Sequence, residues 1–204
     1  MNYSQSIPKD FQEGSAYSES STSEEALWSQ IEVIIESDTE AKVYNSFCEQ
    51  CIVTKASRSN TPDKIEINQA EKAVDHLLSF SIDEISENSE NFDFNVYRII
   101  KCYDALSIMV FEDYIDTGKL NHLIAVALLS FLGRFNDPNT YNQRIFLLKK
   151  CLKNKSRFVR DGARLGLLYL QNPNVIPYLK EAIEQETSEL LREKLIYTIS
   201  VLEG

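Results

Sequence analysis

Residues 158–179, Phe158-Val-Arg-Asp-Gly-Ala-Arg-Leu-Gly-Leu-Leu-Tyr-Leu-Gln-Asn-Pro-Asn-Val-Ile-Pro-Tyr-Leu179, read as one helix, a turn and the opening of a second helix. Val159, Ala163, Gly166, Leu167 and Leu170 fall on one face at helical spacing, Asn172-Pro173 stops that helix, and Val175, Ile176 and Leu179 begin the next. The order recurs along the chain. Thirty-five residues upstream, Ile124, Leu128, Phe131, Leu132, Phe135 and Asp137-Pro138 take the corresponding places; thirty-two residues downstream, Leu191, Arg192, Leu195, Ile199 and Leu202 match Val159, Arg160, Ala163, Leu167 and Leu170. A helical pair recurring at this period predicts an all-α chain and an α-solenoid, in which each pair buries its apolar face against its neighbours.

The Val159-Arg160 pair, the small Ala163 and the turn before Val175-Ile176-Pro177 resemble HEAT and HEAT-like (armadillo-type) repeats over residues 119–204, and more faintly over 93–118. The resemblance implies paired helices stacked into a curved array that serves mainly to bind other proteins, with Arg160 as a structural contact between repeats. It brings no catalytic residue and no cofactor.

Composition sets the frame for the rest. The 204 residues are 43% apolar, enough for a continuous core, and the net charge is −10. That charge is unevenly spread: residues 1–90 hold 18 acidic and 6 basic side chains, residues 91–204 hold 13 and 15. The longest apolar run, Leu123 to Leu132, is interrupted by Ser130 and is too short to span a bilayer, and the Ser/Glu-rich start lacks the regions of a signal peptide. No membrane association and a cytoplasmic location are therefore expected, and cysteines scattered at 48, 51, 102 and 151 fit a reducing compartment.

Three regions follow. Residues 1–22, rich in Ser, Glu, Gln and Tyr, predict a flexible tail. Residues 23–92 predict an acidic helical region: a capping box at Thr22-Ser-Glu-Glu25 opens a helix with Leu27, Trp28, Ile31, Ile34 and Ile35, a second helix carries Ala41, Tyr44, Cys48, Cys51 and Ile52, and a third carries Ala70, Ala73, Val74, Leu77 and Leu78. A short segment around Ile82 and Ile85 and an acidic linker, 84–93, complete it. Residues 93–204 predict the repeat region. One long helix is expected from 94 to 114 on the spacing Val96, Ile99, Ile100, Tyr103, Leu106, Val110, ended by Asp116-Thr-Gly118. Helices near 119–134, 141–153, 157–170, 175–186 and 188–202 come next.

Chemistry-bearing residues are sparse. Cys48-Glu-Gln-Cys51 is a CxxC without a second ligand pair, and its position inside a helix beside Glu49 disfavours a thiolate, so two packed side chains are the better reading. Catalysis by His76 or His122 would need a nucleophile and an orienting group beside it; each precedes a leucine on a helix, so a packed or half-exposed structural histidine is the better reading, and no glycine-rich loop is present to hold a phosphate. No catalytic, metal or cofactor residue is assigned. In the segment from Arg144 to Arg164, the basic residues Arg144, Lys149, Lys150, Lys153, Lys155, Arg157, Arg160 and Arg164 are opposed within the segment by Asp161 alone.

These features predict a non-catalytic, protein-binding solenoid, either an adaptor or an acidic inhibitor of the immunity-protein or antitoxin type whose partner has a basic surface. The candidate partner-binding residues are Glu84, Glu87 and Glu90 for charge steering, Lys149, Lys150 and Lys153 from the basic segment, and Tyr141, Tyr178 and Tyr197 as aromatic anchors. The alternatives are nucleic-acid binding through residues 144–164, which the net charge opposes, and an enzyme or accessory protein resembling the phycobilin lyases, which also use HEAT-like repeats.

Overall fold

Ala70, Val74 and Leu77 recur at helical spacing and are fully covered along the first described helix, α1 (Lys64–Leu78). The computed structural model of the chain describes residues 62, 64–79 and 89–204. Among them are eight α-helices and one short 3-10 turn, with no strand. The tail expected over 1–22, the two amphipathic segments between 23 and 52 with Cys48 and Cys51, and the segment around Ile82 and Ile85 lie outside the described residues.

The acidic linker expected over 84–93 is helical from its second half, because α2 (Ser89–Tyr103) begins there. Glu90 sits in its first turn, where a carboxylate favours the helix dipole, and Phe92 is buried. The expected boundary between 92 and 93 falls within this helix.

The long helix expected from 94 to 114 is instead two. Asp104 has φ 45° and separates α2 from α3 (Ala105–Asp116). Aspartate tolerates positive φ better than most residues, and Ser107 Oγ donates to the Asp104 carbonyl at 2.5 Å, tying down the new helix start. The apolar spacing carries no mark of the break, since Ile99, Ile100, Leu106 and Val110 on either side of it face one core. The stop itself is where expected. Gly118 takes φ 69°, and the Lys119 amide reaches back to the Tyr114 carbonyl at 3.1 Å, a left-handed helix end that glycine adopts without strain.

Asn121 caps α4 (His122–Arg134) by accepting the Leu123 amide at 2.9 Å. Every residue from Leu123 to Gly133 is buried, so this helix is enclosed on all sides. After the Asp137-Pro138 turn come α5 (Tyr141–Cys151) and α6 (Arg157–Leu170). Gln171, left-handed at φ 49°, ends α6, and Asn172 accepts the Asn174 amide to start the 3-10 turn Pro173–Val175. Two helices close the described chain, α7 (Ile176–Gln185) and α8 (Glu189–Glu203).

The closest pair is α4 and α6. A Cβ on Gly133 would run into the Gly166 carbonyl, and one on Gly162 would stand 2.9 Å from the Val126 Cα. These contacts join Val126 to Gly162, Leu129 to Gly166 and Gly133 to Gly166, so numbering rises together and the two helices run parallel. The paired positions lie 33 to 37 residues apart, close to the 35-residue spacing of the sequence pattern. Glycine at both contact faces removes the side chains that would otherwise hold the backbones apart. Leu148 of α5 fills in beside Gly166, and Leu128, Leu129, Leu132, Leu147, Leu167 and Leu179 join one apolar cluster that runs from Ala70 to Leu202.

Candidate functional site

Of the eight basic residues of the 144–164 segment, the fold buries Arg144 and Arg164, half-buries Lys149, Arg157 and Arg160, and leaves Lys150, Lys153 and Lys155 exposed. Arg144 is 1% exposed. Its Nη1 and Nη2 donate to the carbonyls of Leu132 at 2.5 Å and Asp137 at 2.9 Å, and its Nε to Thr140 Oγ1 at 3.2 Å. The guanidinium thus satisfies carbonyls at the end of α4 and in the following turn that no helical amide reaches. Burial pulls its pKa down from the usual arginine value, and Asp137 opposes that.

Arg160 makes a forked pair with Glu186, Nε to Oε2 and Nη2 to Oε1 both at 2.7 Å, and its Nη1 meets the carbonyls of Asn154 and Lys155. It ties the turn before α6 to the end of α7. Burial raises the Glu186 pKa, but the Arg160 hydrogen bonds and the Ser188 amide outweigh it and leave the carboxyl below its ordinary value. Arg164, also buried, donates to Asp161 at 2.6 Å and to Thr198 at 3.1 Å, linking α6 to α8, where Lys194 stands 3.7 Å from the other Asp161 oxygen.

Three of the segment's four lysines are engaged too, Lys155 being exposed. Lys150 Nζ meets Glu112 Oε1 at 2.7 Å and Asp116 Oδ2 at 2.5 Å on α3, and these hydrogen bonds raise its pKa. Lys153 meets Glu181 of α7 at 2.6 Å. Lys149 lies 3.9 Å from the Tyr178 ring centroid, a cation–π contact. The expectation that Asp161 alone opposes this segment holds only along the chain; in space Glu112, Asp116, Glu181 and Glu186 oppose it as well.

Two further pairs join the helices of the first half to the second. Arg134 meets Asp93 at 3.0 Å, and Lys101 meets Asp137 at 3.5 Å. Burial pushes the Asp93 carboxyl up to about 6 despite the Arg134 charge. Tyr114 donates to Asp75 at 2.6 Å, tying α3 to α1.

The other expected site residues separate as follows. Glu84 and Glu87 lie outside the described residues, and Glu90 is exposed on the first turn of α2. Tyr141, expected as an exposed aromatic, is half-buried, and its hydroxyl accepts from the Asn172 side-chain Nδ2 at 2.6 Å. Tyr178 and Tyr197 are exposed. What the sequence reading missed surrounds Tyr197. Along α8, Leu191, Leu195, Ile199 and Leu202 are buried, while Leu190 (40% exposed), Tyr197 (62%) and Val201 (45%) form a second stripe on the outer face; Ile196 (53%) is also exposed, about 120° around the helix from that stripe. Both stripes are present in the sequence at helical spacing, but spacing alone does not say which of them the core takes.

His122 is exposed, with its ring stacked on Phe158 and Nδ1 3.2 Å from Ser156 Oγ. Cys151 is buried, which pushes its thiol up to about 12 and keeps it protonated. Among the described residues no group of three His, Cys, Asp or Glu side chains stands in a metal-holding arrangement, and no helix is long and apolar enough to cross a membrane. No protein-family model matches the chain, and no curated protein or solved structure matches it.

Proposed function

We propose that the chain is a HEAT-like α-solenoid that acts by binding another protein, with the outer face of α8 as its anchor. One observation carries the reading: four of the fifteen residues of α8 are large apolar side chains left exposed, although the same helix already buries a full apolar face. Exposed aliphatics and a tyrosine gathered on one helix are the kind of anchor that binding hot spots use. The parallel, glycine-paired α4 and α6 and the Arg160–Glu186 tie support the repeat arrangement. Exposed Glu90, with the sequence-predicted contribution of Glu84 and Glu87, favours a partner with a basic surface, approached faster at low salt. In its narrower form this is an acidic inhibitor or adaptor with no chemistry of its own.

The test uses the partner recovered from the native host and the triple variant Leu190→Ser, Tyr197→Ser, Val201→Ser. The changed side chains are exposed, so the variant should melt close to the wild type. Its affinity should fall at least about tenfold. Unchanged affinity would refute α8 as the anchor.

A further inference from the structure

A cleft opens between α1 and α2. Its floor is apolar, made by Ala73, Leu77 and Ile99, and its rim carries His76, Asn95 and Arg98; the volume is about 190 Å3. A cavity of roughly 150 Å3 admits benzene. This one therefore has room for an aromatic ring or a short branched chain, and its floor offers that body apolar contact.

The rim supplies the charge. Arg134, Arg160, Arg164 and Arg192 each pair with a carboxylate of the fold. Arg98 meets none among the described residues: it is exposed, and its guanidinium lies 5.8 Å from the Phe94 ring centroid. Two aspartates on the same helices are committed elsewhere, Asp75 accepting the Tyr114 hydroxyl at 2.6 Å and Asp93 pairing with Arg134 at 3.0 Å. Asn95 spends its amide hydrogens on the Asn91 carbonyl at 2.8 Å and Asn91 Oδ1 at 3.1 Å, so it does not compete with Arg98 as a donor. An arginine on an aromatic ring, its fork unmatched, beside an apolar hollow is the arrangement that holds a carboxylate bidentately while burying what the carboxylate is attached to.

We propose that this cleft binds a small amphipathic carboxylate, with its ring or branched chain on Ala73, Leu77 and Ile99 and its carboxylate on Arg98. The site lies on the first two described helices and does not involve α8, so it stands or falls apart from the protein-binding reading.

Phenylacetate is the probe and phenylacetamide its uncharged counterpart, titrated into the full chain and followed by amide chemical shifts. Phenylacetate at millimolar concentration should shift the signals of Leu77, Asn95 and Arg98, and phenylacetamide should bind about tenfold more weakly. Arg98→Gln should reduce phenylacetate binding to the level of the amide. Ala73→Leu, which fills the floor and leaves the charge, should abolish binding of both, and Arg98→Lys should restore part of what Arg98→Gln loses. Circular dichroism of each variant separates lost binding from lost fold, and Arg98→Gln, at an exposed position, remains readable if Ala73→Leu unfolds. No shift with phenylacetate, or equal binding by the amide or by Arg98→Gln, would overturn the proposal. Binding of a capped Phe-Glu dipeptide in place of phenylacetate would overturn the small-molecule assignment.

Discussion

Gly166→Ala isolates the contact on which the packing of α4 against α6 rests. In an exposed helix, glycine to alanine stabilises by about 1 kcal/mol, because alanine has less backbone freedom to lose. Here the added Cβ would stand 2.5 Å from the Leu129 carbonyl oxygen and 2.5 Å from Leu148 Cδ2, about 1 Å inside ordinary contact distance. Leu148 can rotate away, at the expense of its own packing. The Leu129 carbonyl belongs to the backbone of an enclosed helix and moves only if α4 moves. Overpacking of this kind costs about 1–3 kcal/mol beyond any propensity gain, so the expected net change is a loss of roughly 2 kcal/mol, or about 4–8 °C in melting temperature for a chain of this size. Urea unfolding followed by far-UV circular dichroism measures it, with an unchanged denaturant slope as the sign that the native state alone is affected. Two comparisons fix the cause. Gly118→Ala, at φ 69° with open space around it, should show left-handed strain without a clash, about 1 kcal/mol. Adding Leu148→Ala to Gly166→Ala should leave the Leu129 clash in place and so fail to restore stability. A Gly166→Ala protein as stable as the wild type, or more so, would refute the close parallel contact.

Ala163→Leu, at a fully buried position of α6, should cost about 1–3 kcal/mol by overpacking, and unchanged stability would place that face in solvent. Arg144→Met should cost about 3 kcal/mol, because it leaves the Leu132 and Asp137 carbonyls buried without donors; a neutral result would mean water replaces the guanidinium. Asp93 has a folded pKa of about 6 against an ordinary 3.8, so the fold prefers its protonated form; that contribution is full below about 3.8 and is lost as pH rises through about 6. Asp93→Asn should therefore raise the unfolding free energy from urea melts at neutral pH by roughly 1–3 kcal/mol, while leaving it nearly unchanged in acid. A variant equally destabilised at both pH values would show that the Arg134 pair outweighs the burial.

The all-helical class was legible because Val159, Ala163, Leu167 and their counterparts keep helical spacing, and helix ends were legible where chemistry marks them, as at Thr117-Gly118 and Asn172-Pro173. The break at Asp104 was not, because one residue with positive φ leaves the apolar spacing on either side intact. The basic segment misled for a related reason. Its partners Glu112, Asp116, Glu181 and Glu186 lie 26 to 38 residues away along the chain, on α3 and α7 or at the end of α7, so local charge counting sees eight cations and one anion. Arg144 was the hardest to read: nothing nearby in sequence distinguishes a guanidinium that caps carbonyls in the interior from one that meets solvent.

The same pairing bears on which partner the surface favours. A polyanion approaching residues 144–164 would gain little from Arg144 and Arg164, which are buried, or from Arg160, whose fork is filled by Glu186. To use Lys150 or Lys153 it would have to displace Glu112, Asp116 and Glu181, whose carboxylates would then add their own repulsion to that of a net charge of −10. Each such exposed pair is worth only about 0.2–1 kcal/mol, so the lysines are not locked away. The cost to a polyanion lies in the acids that stay behind. A protein with a basic patch meets the opposite balance, since Glu90 and the acids of the first 90 residues attract it, while the apolar stripe of α8 needs no charge at all. On the proposed protein-binding reading, added salt should therefore lower the on-rate while Tyr197→Ser raises the off-rate, two effects that association and dissociation kinetics against the recovered partner separate.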